Sequence, residues 1–232
     1  MSTSQHSLSS APRGPDVLGE LLHSLSQPLT GLRCSLELSL QLPLDRSIEQ
    51  VAEQQQASVS VALQQTEKVI GMIQLMREYL DAEQTGPEAF SSALAPATRS
   101  LIEELSSIAA VRDVRLRLVG TCTATVPVPE SRLRIALQYL IAAMIEAQPV
   151  GGKVMLLLGE GPAGAVLRAE GERSFRLQKH SATSLQTTLR GVRIAIASRV
   201  LESAGASLVF GGGAVDPTGF VLRIPRRVAA RD

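Results

Sequence analysis

The stretch Leu22-His23-Ser24-Leu25-Ser26-Gln27-Pro28-Leu29-Thr30 decides the fold. It lies in a run where Leu18, Leu22, Leu25, Leu29, Leu32 and Leu36 recur at spacings of 4, 3, 4, 3 and 4. That repeat is a heptad seam, so the run is a helix built to pack against other helices. Pro28 has no amide hydrogen and its ring crowds the carbonyl four residues back. The helix is therefore expected to kink there or to lose one hydrogen bond. His23 follows the seam residue Leu22 and is expected to face outward. Gln27, four residues on, shares its face.

Outward from this stretch, residues 41–46 read as a connector. Ser47 with Gln50 three residues later is a capping-box signature for a second helix. That helix should run to about Glu83, with Val59, Leu63, Ile70, Ile73, Met76 and Leu80 on one side and a Gln-rich opposite face. Two long helices joined by a short turn make an antiparallel hairpin. A lone hairpin leaves much of its apolar stripe in water, and dimerisation into a four-helix bundle covers it. A homodimer is therefore expected. Residues 1–15 are Ser-rich and lack the apolar segment of a signal peptide, so they are expected to be a disordered arm.

Beyond the hairpin, Gly86-Pro87 breaks the helical pattern. The spacing predicts a helix over 97–109. Val114, Leu116 and Leu118 then alternate with Arg115 and Arg117, the pattern of a half-buried strand. A short strand over 123–126 precedes a strongly apolar helix over 133–147. Gly151-Gly152 turns into a strand over 153–158, and Gly161-Pro162 turns into its hairpin partner over 165–169. A polar stretch from Gly171 to about Leu185 leads to a helix over 192–204 and strands over 207–210 and 220–224. Elements in this order make a mixed sheet with helices on one face. The fold class expected is α+β: a hairpin domain over 16–86, an α/β sandwich over 87–227, and a tail over 228–232.

Composition agrees and excludes several classes. The chain has 232 residues, 44% hydrophobic and 3% aromatic, with no Trp. Its core must be aliphatic. A formal net charge of +1 gives no global case for nucleic acid or an anionic membrane. No apolar run approaches the roughly 20 residues of a membrane span, so a cytoplasmic protein without membrane insertion is expected. Cys34 and Cys122 are far apart and flanked by no other ligand types. No metal site is expected from them, and two idle thiols are favoured over a disulfide.

These stretches together resemble the core of two-component histidine kinases, a dimerisation and phosphotransfer hairpin followed by a GHKL-type ATP-binding domain. The resemblance spans almost everything from Asp16 to Arg226. His23, Gln27, Pro28 and Leu29 match the family's H-box, which implies His23 as phosphoacceptor and Gln27 as a residue that orients water in phosphatase action. The acidic residue that follows the family's His is Ser24 here. Leu133 to Val154 has the frame of the N-box helix and the Gly-Gly turn after it. The family's Asn positions are Tyr139 and Ala143. The second of these Asn residues helps hold Mg²⁺ in active kinases, and Ala143 offers no oxygen to a hard cation. Where the Asp-any-Gly-any-Gly box should stand, either Ala169 or Glu170 takes the place of the adenine-reading Asp, and Gly171 remains. Leu189-Arg190-Gly191-Val192-Arg193 resembles the second glycine box, with glycines replaced at Leu189 and Arg193. Those glycines let backbone amides approach phosphate closely.

The resemblance therefore implies a histidine kinase architecture with an eroded ATP site, similar to histidine phosphotransferases derived from kinases. Three readings stand. One is a dimeric phosphotransferase that exchanges phosphoryl groups with the Asp of a response-regulator receiver domain and needs no cofactor. Another is a divergent kinase that uses Mg-ATP. The last is a dimeric scaffold with an inert His23. His6 and His180 are read as incidental. Arg173, Arg176, Lys179 and Arg190 are read as a solvated surface or a weak anion site. Nothing places a second reactive group beside Glu170 and Glu172.

Overall fold

The computed structural model describes residues 15–40, 48–83, 91–161, 163–171, 184–212 and 217–225. The expected connector at 41–46, the Ser47 cap, the Gly86-Pro87 break and the polar stretch over 172–183 lie outside these residues. The chain divides into two compact units, Gly14–Glu78 and Tyr79–Asp232.

The first unit is a helical hairpin of α1 (Pro15–Leu40) and α2 (Ile48–Glu83). α1 begins at Pro15, a residue whose fixed φ suits the first turn of a helix. Pro28 lies within α1, which continues through it to Leu40. The buried stripe of α1 is Val17, Leu21, Pro28 and Ser35, one position away from the leucine repeat. Small residues make this stripe a close-packing face. At Gly31 an added Cβ would lie 3.4 Å from Cδ of Gln65 on α2. The hydroxyls of Ser35 and Ser39 donate to the carbonyls of Gly31 and Ser35, both at 2.9 Å, so the polar atoms on this stripe are satisfied within the helix. Leu22, Leu29 and Leu36 are 60%, 48% and 51% exposed. On α2 the expected apolar side behaves likewise: Val59, Leu63, Ile70 and Ile73 are exposed while Ala62, Met72 and Leu75 are buried. The hairpin thus has two apolar faces, and its single copy uses the one with small residues.

The second unit takes in the last turn of α2. Tyr79 is fully buried, and the guanidinium of Arg199 lies 4.6 Å from its ring centroid. A two-stranded ribbon of β1 (Ser92–Ala93) and β3 (Thr125–Val126) flanks the main layer. The five-stranded sheet runs β2 (Arg115–Gly120), β4 (Lys153–Gly161), β5 (Gly164–Gly171), β7 (Pro217–Pro225), β6 (Ser207–Gly212). Only β2 and β4 are parallel, so the sheet is mixed as expected. The helices are α3 (Leu94–Val111), α4 (Glu130–Glu146) and α5 (Ser184–Ser203).

Strand alternation separates the two faces of the sheet. Leu156, Leu167, Ala169, Phe210, Phe220 and Leu222 are buried beneath the helices. They meet Leu101, Leu137, Leu140, Ile141, Ile196 and Leu201, a core as aliphatic as the composition requires. Among the described residues its one aromatic pair, Phe210 and Phe220, packs edge to face at 6.5 Å. Gly120 ends β2 with φ +88°, where a Cβ would run into the Leu158 carbonyl oxygen.

Candidate functional site

His23 and Gln27 are both exposed on α1. The surface around them is open. Gly19, Glu20, Ser26 and Thr30, each three or four residues from one of the pair, are exposed as well. The Thr30 hydroxyl donates to the Ser26 carbonyl at 2.8 Å, so the turn around Pro28 keeps a side-chain hydrogen bond.

The second candidate region is where α4 and α5 meet. Tyr139, Ala143 and Glu146 recur at i, i+4 and i+7, so they share one face of α4. Glu146 accepts from Nε of Arg190 at 3.2 Å through Oε2, and its Oε1 lies 3.6 Å from a terminal nitrogen of Arg193. The Arg193 guanidinium in turn stands 6.0 Å from the Tyr139 ring centroid. Tyr139 and Arg193 are therefore brought together, and Ala143 sits buried one turn along, at 3% exposure. Nothing in the local sequence marks Glu146. Its partners are 44 and 47 residues away, and only the pairing of helices joins them.

The start of α5 differs from expectation. The helix was expected over 192–204, after a polar stretch ending near Leu185, and it begins at Ser184. Leu189 and Arg190 are good helix formers where the family has or flanks glycine. One Gly191 within a helix costs about 1 kcal/mol, which packing readily offsets. The consequence is chemical. Amides of residues 189–193 lie inside the helix, where each donates to a carbonyl four residues back.

At the end of β5 the pleat puts Ala169 and Glu170 on opposite faces of the sheet. Ala169 faces the helices and is 1% exposed. Glu170 faces the other side of the sheet, where it pairs with Arg168 at 2.6 Å. The position on the helix side thus carries a methyl group. Beside it, the buried Gln148 side chain lies against Gly171, where an added Cβ would collide with its amide nitrogen.

Glu146→Gln tests the weight of the α4–α5 cluster. The Arg190 side chain is 10% exposed and that of Glu146 27%, so screening is only partial. The neutral amide should cost about 1–2 kcal/mol of unfolding free energy in denaturant titration, more than an exposed pair would. A change within a few tenths of a kcal/mol would show the cluster to be a surface pair.

Among the described residues no cluster of His, Cys, Asp or Glu is arranged to hold a metal ion. Both cysteines are free, Cys34 exposed and Cys122 buried. Desolvation pushes the Cys122 thiol up, which makes it a poor nucleophile. Among the described residues no helix is long and apolar enough to cross a membrane.

No family model and no curated protein matches the chain by sequence. Solved structures do match by shape. One is a histidine kinase, AdeS, of Acinetobacter baumannii, with TM-score 0.59 and 14% identity, covering 88% of this chain and 97% of that one. Another is the histidine kinase ThkA in complex with the response regulator protein TrrA, with TM-score 0.64 and 13% identity. That match covers 94% of this chain and 63% of the kinase chain. Identities this low speak for the fold, and coverage this complete includes both the hairpin and the sandwich. The chain has the fold of a histidine kinase core.

Proposed function

We propose that this chain is a two-component signalling protein that moves a phosphoryl group between His23 and an Asp of a response-regulator receiver domain, and that it does so without ATP. The observation that carries the reading is the continuous helix α5 from Ser184 to Ser203. It withdraws from phosphate the amides that a glycine-rich turn would offer. Transfer from ATP depends almost wholly on positioning and charge neutralisation. Here Ala143 offers no magnesium ligand, Ala169 offers no acceptor to an adenine amino group, and the nearby cations Arg190 and Arg193 are engaged by Glu146.

Exchange between His23 and a phospho-Asp needs far less. The lone-pair nitrogen of His23 attacks phosphorus, a P–N bond forms, the P–O bond to the Asp breaks, and the carboxylate leaves with its electrons. An exposed helical histidine suffices, and the reverse step runs by the same path. Gln27, exposed one turn on, would orient a water for loss of the phosphoryl group from the receiver. That ThkA was solved with a response regulator makes receiver docking to such a fold reasonable. The exposed stripe of Leu22, Leu29 and Leu36 on α1, with Leu63 and Ile70 on α2, supports a homodimer, since a second hairpin would cover it.

The test is a labelled receiver domain. Incubation of the chain with a phosphorylated receiver should move label onto the chain. Calorimetric titration with Mg-ATP should show no binding in the micromolar range. Micromolar binding of Mg-ATP would favour a divergent kinase instead, and absence of label from every receiver tried would favour a scaffold.

A further inference from the structure

The open face of the five-stranded sheet, opposite the helices, has its own pattern. Registered pairs place Val119, Leu157, Arg168, Val221 and Val209 in one row that crosses all five strands. The row is an apolar belt, and its one charge, Arg168, is paired with Glu170. Strands about 4.8 Å apart make the belt about 19 Å long. Cations flank it on both sides. Arg115, Arg117 and Lys153 lie toward one edge of the belt and Arg223 toward the other. All four are exposed, and among the described residues none forms an ion pair. Among the described residues the face thus holds five cations against one carboxylate, in a chain whose formal net charge is only +1.

We propose that this face docks an acidic amphipathic helix of a partner protein, laid across the strands with its apolar stripe on the belt and its carboxylates against the flanking cations. The geometry suits a helix. Arg117 and Arg223 each stand two residues along their strands from the belt, so each is offset by roughly 6.7 Å. A helix about 10 Å wide fills that span. Charge disfavours a second copy of the chain on the same face, because an isologous contact would set cations against cations. The composition of the face disfavours single-stranded nucleic acid, whose bases stack on exposed aromatics. The sheet's Phe210 and Phe220 are buried on the helix side. The proposal is independent of phosphoryl transfer at His23.

A synthetic helical peptide of about 18 residues, with a Leu stripe bordered by Glu, is long enough to cross the belt and serves as the probe. It should bind the full chain saturably in fluorescence anisotropy, with amide hydrogen exchange slowed in β4, β5 and β7. Arg117→Glu with Arg223→Glu should weaken binding by about tenfold or more, with Arg117→Gln and Arg223→Gln intermediate. Leu157→Ser should weaken it at unchanged salt dependence. The exposed charge variants should keep the wild-type circular dichroism spectrum. The proposal is overturned if the same peptide with Lys for Glu binds as well, or if the charge variants bind like wild type. No binding of the probe at all also overturns it, as does tighter binding of an oligonucleotide or of phosphatidylserine vesicles lost in the same variants.

Discussion

His23→Ala is expected to abolish label transfer from a phosphorylated receiver domain, to below about one thousandth of the wild-type rate, since the nucleophile itself is removed. His23 is exposed in mid-helix, and Ala is the best helix former, so the variant should fold with unchanged or slightly raised stability. Loss of label then cannot be ascribed to unfolding. Gln27→Ala separates a second role. It should leave the label on His23 intact and slow the disappearance of label from the receiver, if the amide orients water. Retention of label by His23→Ala would sink the proposed role of this residue. A receiver labelled with acetyl phosphate and purified from excess donor keeps free phosphate out of the measurement.

The second large effect concerns assembly. Wild type should sediment as a dimer, and Leu36→Glu with Leu63→Glu should sediment as a monomer at tens of micromolar. Leu36 and Leu63 are 51% and 60% exposed in one copy, so they have little to lose within it. Burying a leucine contributes about 1.5–3 kcal/mol. A twofold dimer carries each substitution twice, so four leucines are lost. Each is already about half covered in one copy, so together they are worth about 3–6 kcal/mol, some two to four orders of magnitude in the dissociation constant. Glu keeps high helix propensity, so far-UV circular dichroism should change little. A dimer that persists in the variant would place the interface elsewhere, and a monomeric wild type would remove the four-helix bundle from the proposal.

Much of this protein is legible in the chain read as a string. The 3.5-residue repeat from Leu18 to Leu36 announces a packing helix because side-chain period follows from backbone geometry alone. The alternation of Arg115 and Arg117 with Leu116 and Leu118 marks β2 for the same reason. Both belong to elements found near the expected places. The ends were less legible. α5 starts eight residues before the expected helix, because a single Gly191 reads as a breaker in sequence while buried packing holds it in the helix. The leucine repeat likewise named a seam without saying which partner it meets. Within one hairpin the neighbouring stripe of Pro28, Gly31 and Ser35 packs inward, since small side chains let helices approach closely.

Local order in the sequence therefore set the elements, and with them the helical place of His23. Periodicity and side-chain chemistry are local, and a single chain displays them directly. What the fold alone settled are the relations between distant residues. Glu146 meets Arg190 and Arg193 only when α4 lies beside α5. Ala169, and not Glu170, faces the helices only because β5 takes one register against β4 and β7. The belt from Val119 to Val209 exists only once five strands align. Register and packing depend on contacts across many tens of residues, and no local pattern carries them.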